Sequence, residues 1–400
     1  MDEAYTRVVP GFRRALSCTS DRRSGPALWR SAAILPPLDL RSYTIDEVRQ
    51  RVARQAELPF RAEQVFRWLH GPGPGGVGNV RDPEAASNVP RALRQALLAE
   101  APLQPLRLDG EITAADGTRK FRFRTHDDNA VESVLIPDEK PERAKLTLCV
   151  SCQTGCAWGC AFCATGALGA GRNLTGGEIV EQLYWAMELA GQKPSNVVFM
   201  GMGEPLHNLE GLTRALRNLQ HPWGAGMSAR RLTVSTVGLV PGIEALGKMD
   251  PAPNLAISLN ATTDEVRDQL MPVNRRWKIA ALLEAARRFP LAHHRSITFE
   301  YVLLAGVNDS DADAARLPRL LRGIPSKVNV IPYNPVPGRP FARPSEERVL
   351  AFQNAVRGAD LPVYIRNSRG SDAAAACGQL AARAFLGAQA AALAGEGSAP

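Results

Sequence analysis

The chain has 400 residues, with 48 Lys and Arg against 40 Asp and Glu, and a net charge of +8. Its 45% hydrophobic and 22% charged content is that of a globular protein, not a fibrous or disordered one. No run approaches the ~18 apolar residues of a membrane span, the N-terminus lacks the apolar core of a secretory signal, and seven Cys in a chain of this length do not make a disulfide scaffold. A reducing, cytoplasmic setting is therefore expected. The basic excess suits a polyanion such as RNA, although an Arg-rich coding bias gives the same count.

Residues 1–38 are dotted with Arg, Ser, Gly and Pro and are expected to form a flexible extension, with no role for Cys18. A small helical module is expected over 39–105. Thr44-Ile-Asp-Glu47 has the capping-box form and opens its first helix. The stretch 58–70 reads as a second, with Val65, Phe66, Trp68 and Leu69 on its apolar face and Arg61 and Arg67 in solvent. The Gly-Pro run from Gly71 breaks it, and a third helix follows near 90–101. Such a module can grip RNA or simply pack, and its basic charge favours the RNA-binding reading.

From residue 106 the apolar period changes to two. Arg119–Arg124 and 130–136 read as strands beside an Asp116-Gly117 turn. Glu132 lies in the second of them among apolar neighbours and, taken alone, reads as a solvent-facing residue of an edge strand. The core domain is placed at 106–386, with a flexible tail at 387–400. Within it strand and helix alternate six times. Strands are expected at 145–150, 196–201, 231–236, 254–259, 296–304 and 327–333. Helices are expected at 176–190, 209–219, 240–248, 277–289 and 311–321. Thr175 with Glu178 and Thr262 with Glu265 have capping-box spacing. Alternating βα units imply parallel strands with right-handed crossovers. Six units fall two short of a closed eightfold barrel, so the expected fold is α/β, a partial (βα)6 barrel open on one side to a large substrate.

Five of the seven cysteines, Cys149, Cys152, Cys156, Cys160 and Cys163, lie within fifteen residues. The last three have the spacing C-x3-C-x2-C. Three thiolates can hold three irons of a [4Fe–4S] cube and leave the fourth open, whereas a zinc ion asks for a fourth ligand from Cys149 or Cys152. Gly155 and Gly159 favour a loop over a helix through the run. In a parallel barrel the chemistry collects at the C-terminal strand ends. There the sequence places Gly203 and Glu204 in Gly201-Met-Gly-Glu-Pro205, then Ser235 and Thr236, then Ser258, Leu259 and Asn260, then Asn334. Each alone is an ordinary cap or turn residue; their joint placement on one rim is the signal. Cys377 stands apart, in Ala376-Cys-Gly-Gln-Leu380. A lone Cys among alanines is usually a small buried hydrophobe, while Gly378 beside it argues for a special backbone. The residues alone leave this open.

Taken together, the motifs Asp116-Gly-Thr-Arg-Lys120, Val131-Glu-Ser-Val-Leu-Ile-Pro137, the cysteine loop, Arg172-Asn-Leu-Thr175, Gly201–Pro205, 232–238, Tyr333-Asn-Pro335 and Ala376–Leu380 carry a resemblance. From about residue 39 to about 386 the chain resembles the radical-SAM RNA adenine methyltransferases of the RlmN/Cfr family, closer to the RlmN branch. The resemblance implies that Cys156, Cys160 and Cys163 bind a [4Fe–4S] cluster. It implies that Gly203, Glu204, Ser235, Ser258, Leu259, Asn260 and Asn334 line a site for S-adenosyl-L-methionine (SAM). Cys377 would accept a methyl group from one SAM. A radical from a second SAM would take a hydrogen from that methyl. The carbon radical would then add to adenine C2 of 23S rRNA or tRNA. Glu132 would accept the proton, and Cys149 would attack the sulfur of Cys377, releasing the base and leaving a disulfide. A monomer served by an electron donor such as flavodoxin or ferredoxin is implied. Two positions depart from the pattern: Asn260 stands where the family commonly has His, and Cys152 where Ser is usual. Family chemistry at adenine C8 or on another RNA, and a zinc-stabilised RNA-binding protein without catalysis, are the alternatives.

Overall fold

The computed structural model describes residues 39–71, 88–138, 145–358 and 361–381. The N-terminal extension with Cys18, the Gly-Pro run beyond Gly71 and the tail lie outside the described residues.

The frame is one ten-stranded sheet whose spatial order is the chain order. Strands β1 (Arg107–Thr113), β2 (Arg119–Arg124) and β3 (Ala130–Pro137) form an antiparallel meander, and β3 joins β4 (Leu146–Cys149) antiparallel. From β4 the pairing is parallel through β5 (Asn196–Phe199), β6 (Leu232–Thr236), β7 (Asn254–Ser258), β8 (Ile297–Leu303) and β9 (Ser326–Pro332). These are the six expected strands. A short seventh, β10 (Val363–Ile365), extends the parallel set beside β9. Three residues are too few for periodicity to announce it. The sheet stays open, with β1 and β10 at its edges.

Side chains alternate across a strand, so register fixes which residues share a face. One face carries Leu148, Val197, Val234, Ile257, Phe299 and Val328, all buried in one apolar core. Helices α5 (Gly176–Ala190), α6 (Leu209–Gln220), α7 (Val240–Gly247), α9 (Ile279–Arg288) and α10 (Asp311–Leu321) connect the strands, and their apolar residues join that core. The other face is mostly polar, because it borders the open lumen. Cys149 opposes Val134 on one side and Val198 on the other, and Ser258 opposes Glu300.

Capping chemistry sets the helix starts. The Thr175 hydroxyl accepts from the Glu178 N–H, and the Glu178 carboxylate accepts from the Thr175 N–H, as the spacing foretold. The second box is displaced. Helix α8 (Asp264–Leu270) is capped by Thr263, and Thr262 donates its hydroxyl to Asp313 at 2.5 Å. The partner lies 51 residues downstream, so tertiary contact overrides the local pattern.

The module before β1 has helices α1 (Ile45–Arg54), α2 (Phe60–His70) and α3 (Arg91–Glu100), with its own apolar cluster including Val48, Val65, Phe66, Leu69, Leu93 and Leu97. Buried polar contacts fasten it to α5 and α6. Asp39 accepts from Ser42 Oγ at 2.8 Å and Thr175 Oγ1 at 2.5 Å, and Gly177 packs so closely on Asp39 that a Cβ there would overlap the carboxylate. Arg41 is ion-paired with Glu181, both fully buried, and Arg214 Nη1 reaches Glu47 at 2.6 Å. Arg41→Ala strands the Glu181 carboxylate in the interior. The expected loss is about 3 kcal/mol in denaturant unfolding, with proteolysis within 39–105 appearing first; an unchanged midpoint would contradict this account.

Candidate active site

The loop after β4 carries the cysteines, and main-chain bonds hold it against the strand ends. Cys152 donates its N–H to Met202 O at 2.9 Å, Cys156 to Gly169 O at 2.7 Å, and Ala161 to Leu270 O at 2.9 Å. Two glycines are required by this path. Gly159 has φ +58°, and a Cβ on Gly155 would lie 2.6 Å from Gly169 O. No helix forms until the short α4 (Ala164–Ala167), so the run is a loop as expected. Cys156 and Cys160 are buried and Cys163 is half-buried. Burial, reinforced by the neighbouring thiols, pushes Cys156 up to about 12 and Cys160 well above its usual range. Such thiols become thiolates only with a bound cation, so metal loading must release their protons.

The donor set distinguishes a cluster from a single ion. Four sulfurs around one zinc at ~2.3 Å stand about 3.8 Å apart. Among the described residues the only three potential ligand atoms within 4.8 Å of one another belong to His126, Asp127 and Glu178. Cys156, Cys160 and Cys163 are free thiols, the number that holds three irons of a [4Fe–4S] cube and one fewer than a closed zinc site takes. The His126 group is itself an ion-pair lock: Arg172 Nη2 bridges Asp127 at 2.6 Å and Glu178 at 2.7 Å. Cys156→Ala is expected to yield protein without bound iron and acid-labile sulfide after anaerobic isolation. Cys152→Ala should retain both, since Cys152 is a buried packing residue. Equal sulfide in the two variants would sink the ligand assignment.

Around this loop lies the rim. Gly203 has φ +96°, and a Cβ there would be 2.5 Å from Gln153 Cβ. Glu204 is buried, accepting from Leu206 N at 3.1 Å and Val237 N at 2.9 Å, and burial raises its carboxyl to about 7. Ser235 and Ser258 are half-buried on the lumen side, and Leu259 is fully buried. Asn260 takes the left-handed conformation, φ +56°, which Asn tolerates better than most residues. Its amide is committed to protein: Oδ1 accepts from Val302 N at 2.8 Å and Nδ2 contacts Met271 Sδ at 3.3 Å. Asn334 Nδ2 donates to Cys377 O at 3.2 Å, and its Oδ1 accepts from Ser368 Oγ, so it braces the Cys377 segment.

The antiparallel strands supply the opposite wall. Glu132 is fully buried, not solvent-facing, and β3 is an interior strand, paired with β2 and β4. What covers Glu132 comes from residues 370–381, too distant in sequence to foresee. Lys120 Nζ lies 3.4 Å from Glu132 Oε1 and donates to Ala374 O at 3.3 Å. Burial raises the Glu132 carboxyl, while Lys120 and the Ala381 main chain act in the opposite sense. A buried carboxylate of this kind is poised to take a proton.

Residues 370–381 pass over this wall, packing Ala373, Ala375 and Leu380 against Val134, Met202 and Cys149. The anchors are Gly370 N to Asp116 Oδ2 at 3.0 Å, Gly378 O from Ala164 N at 2.8 Å, and Leu380 O from Thr165 Oγ1 at 2.6 Å. Partial burial opposes it, but hydrogen bonds from Thr118, Gly370 and Arg369 hold the Asp116 carboxyl down at about 2. Its contribution is therefore full above the ordinary carboxylate range and fades only as pH falls towards about 2. Cys377 is an exposed thiol between Ala374, φ +47°, and Gly378, φ +84°. It sits in a recess whose surrounding protein pushes it up to about 12, with Glu300 and Cys163 adding to the effect. Cys149 is likewise raised to about 12, by burial and then by Cys377 nearby. All six described cysteines are free thiols.

Arg267 was invisible to sequence reasoning. It is buried, and its guanidinium donates to Leu259 O at 2.9 Å, Val237 O at 2.7 Å and Ser258 O at 3.0 Å. It ties the ends of β6 and β7 together beneath the rim. No local pattern marks such a residue, since its partners are carbonyls.

Comparison with known proteins agrees with this geometry. Residues 150–317 match the model of the Radical SAM superfamily. The chain is 52% identical over 355 residues to a protein of Anaeromyxobacter sp. (strain Fw109-5) named dual-specificity RNA methyltransferase RlmN, covering 87% of this chain and 91% of the relative. A protein of the same name from Syntrophobacter fumaroxidans is 44% identical, with 87% and 99% covered. A crystal structure of a radical SAM methyltransferase from Sphaerobacter thermophilus superposes with a TM-score of 0.79 at 44% identity, covering 86% of this chain and 100% of that one. With a cysteine loop spaced for a cube and a second thiol pair, Cys149 and Cys377, near each other on the lumen wall, the chain belongs to the RlmN family of radical SAM RNA methyltransferases.

Proposed function

We propose that this protein methylates C2 of adenine in 23S rRNA and tRNA, with Cys377 as carrier of the methyl carbon. The observation that carries the reading is the convergence of Glu132, Cys149 and Cys377 on one lumen wall beside the cysteine loop. Adenine C2 is not nucleophilic, so direct methyl transfer from SAM fails there and a radical is needed. Cys156, Cys160 and Cys163 would hold a [4Fe–4S] cluster, and the cluster with SAM supplies that radical when bound. Gly203, Glu204, Ser235, Ser258, Leu259, Asn260 and Asn334 form the rim assigned to SAM. Of these, Asn260 and Asn334 act by shaping the backbone of the site, since their amides are already bonded within the protein.

Each protein residue has a task its surroundings suit. The Cys377 sulfur loses its proton and takes a methyl group from SAM; the same sulfur later links protein and base. Splitting the transfer through a covalent carrier replaces one difficult step by several easier ones. The buried Glu132 carboxylate takes the proton released at C2. The Cys149 thiolate attacks the Cys377 sulfur, forming an S–S bond and breaking the bond between that sulfur and the transferred carbon, which keeps the bonding pair and takes a proton to become the methyl group on the base. The disulfide must then be reduced by an external thiol, and the radical step draws on an electron donor such as flavodoxin or ferredoxin. A monomer in the cytoplasm suffices for this cycle. Among the described residues no helix is long and apolar enough to cross a membrane.

The test is nucleoside mass spectrometry of rRNA and tRNA from cells with and without the gene. Loss of 2-methyladenosine is expected. Loss of 8-methyladenosine instead would move the chemistry to C8.

A further inference from the structure

Register carries a transverse row of side chains across the lumen face. Ser258 opposes Glu300, Glu300 opposes Asn329, and Asn329 opposes Tyr364. Asn329 Nδ2 donates to Glu300 Oε1 at 2.9 Å, so the middle of the row is bonded across the strands. The row runs from the SAM rim to the open edge of the sheet, and it ends in an aromatic ring. Tyr364 is 53% exposed, one of four large exposed hydrophobic side chains among the described residues. The position is unusual on physical grounds. The outer face of this sheet is apolar because helices cover it, but Tyr364 stands on the lumen face, where no helix packs. Arg366, two residues on, shares that face and is exposed, and its charge acts on the Glu300 carboxyl of the same row. Arg343 donates to Pro332 O and to Ser368 Oγ, and Arg339 Nη2 donates to Cys163 O at 3.3 Å. Cations thus follow the path from the open edge to the cysteine loop.

We propose that Tyr364 and Arg366 form a nucleotide subsite at the open edge of the barrel, in which the base beside the target adenosine stacks on the Tyr364 ring and its phosphate pairs with Arg366. This deepens the RNA reading above and rests on it. An enzyme acting on a ring carbon must take the base out of its stack, and the neighbouring nucleotide then loses a stacking partner. An exposed aromatic ring beside an exposed guanidinium replaces that partner and holds the backbone, as in single-strand binding proteins. The occupant is a single-stranded RNA segment and not an apolar peptide, because the row leading to the ring is polar and carries two cations, Lys327 and Arg366, against one carboxylate, Glu300, which Asn329 already binds.

The experiment uses the cluster-loaded full chain and tRNA purified from cells lacking the gene. Tyr364→Ala is expected to raise KM for RNA about tenfold, with kcat within about twofold, and Tyr364→Phe to stay within about twofold of wild type. Arg366→Gln should lower the slope of log Kd against log salt by about one. Iron content and circular dichroism of each variant show whether it is folded and loaded. RNA binding unaltered in folded Tyr364→Ala overturns the subsite, as does an equal loss in Tyr364→Phe. A change in sedimentation with Tyr364→Ala also overturns it, since the ring would then contact a second copy. A wild-type enzyme that modifies no RNA defeats the parent reading instead, and that result is read before any variant is compared.

Discussion

Cys377→Ala is expected to lower methyl transfer to RNA by about a thousandfold or more while leaving the protein folded and its iron bound. The side chain is exposed, so removing its sulfur leaves no cavity. The segment around it is held by other groups: Asp116 on Gly370, Asn334 on the Cys377 carbonyl and Thr165 on the Leu380 carbonyl. No other described thiol can substitute. Cys149 is locked in a strand, and Cys152 is buried beneath the loop. The measurement is single-turnover transfer from methyl-labelled SAM to RNA, with circular dichroism and iron analysis on the same sample. Ordinary turnover in this variant would remove the carrier role.

The second large effect is a trapped complex. In Cys149→Ala the bond between carrier sulfur and transferred carbon has nothing to break it, so protein joined to RNA should accumulate to about one equivalent per enzyme. A nuclease-sensitive shift on a denaturing gel reads it, and free methylated RNA in the usual yield would refute it. In the wild-type enzyme the same step depends on pH in a stated sense. Burial raises the Cys149 thiol to about 12, so it is protonated at neutral pH. The reactive thiolate fraction grows about tenfold per pH unit below that value. Release of the base should therefore quicken as pH rises from 7 to 9.

What the sequence disclosed depended on how local the cause was. The cysteine spacing, the Thr175 capping box and the six main strands are written in consecutive residues, and each stands where its pattern places it. Thr262 marks the limit: its spacing suggested a cap, but Asp313 offered a better partner from another element. Glu132 shows it more sharply. Its neighbours suggested an outer strand, yet its burial is produced by Lys120 across the strand pair and by a segment some 240 residues later. Its role came from the family resemblance and not from its own surroundings in sequence. Arg267 had no signal at all, because a buried guanidinium satisfied by carbonyls resembles any surface arginine when read along the chain. Tyr364 needed the register of a three-residue strand before its face could be known.

The two lumen thiols are unequally mounted. Cys149 ends a strand paired on both sides, and its main chain is as fixed as the sheet. Cys377 rides on a turn with left-handed residues on both sides, whose main chain is held at Gly370, Cys377, Gly378 and Leu380 while the thiol itself is exposed. A disulfide needs the sulfurs at ~2.05 Å. In the proposed disulfide step the exposed Cys377 side chain would supply the motion that closes the gap, with the barrel wall as the fixed partner.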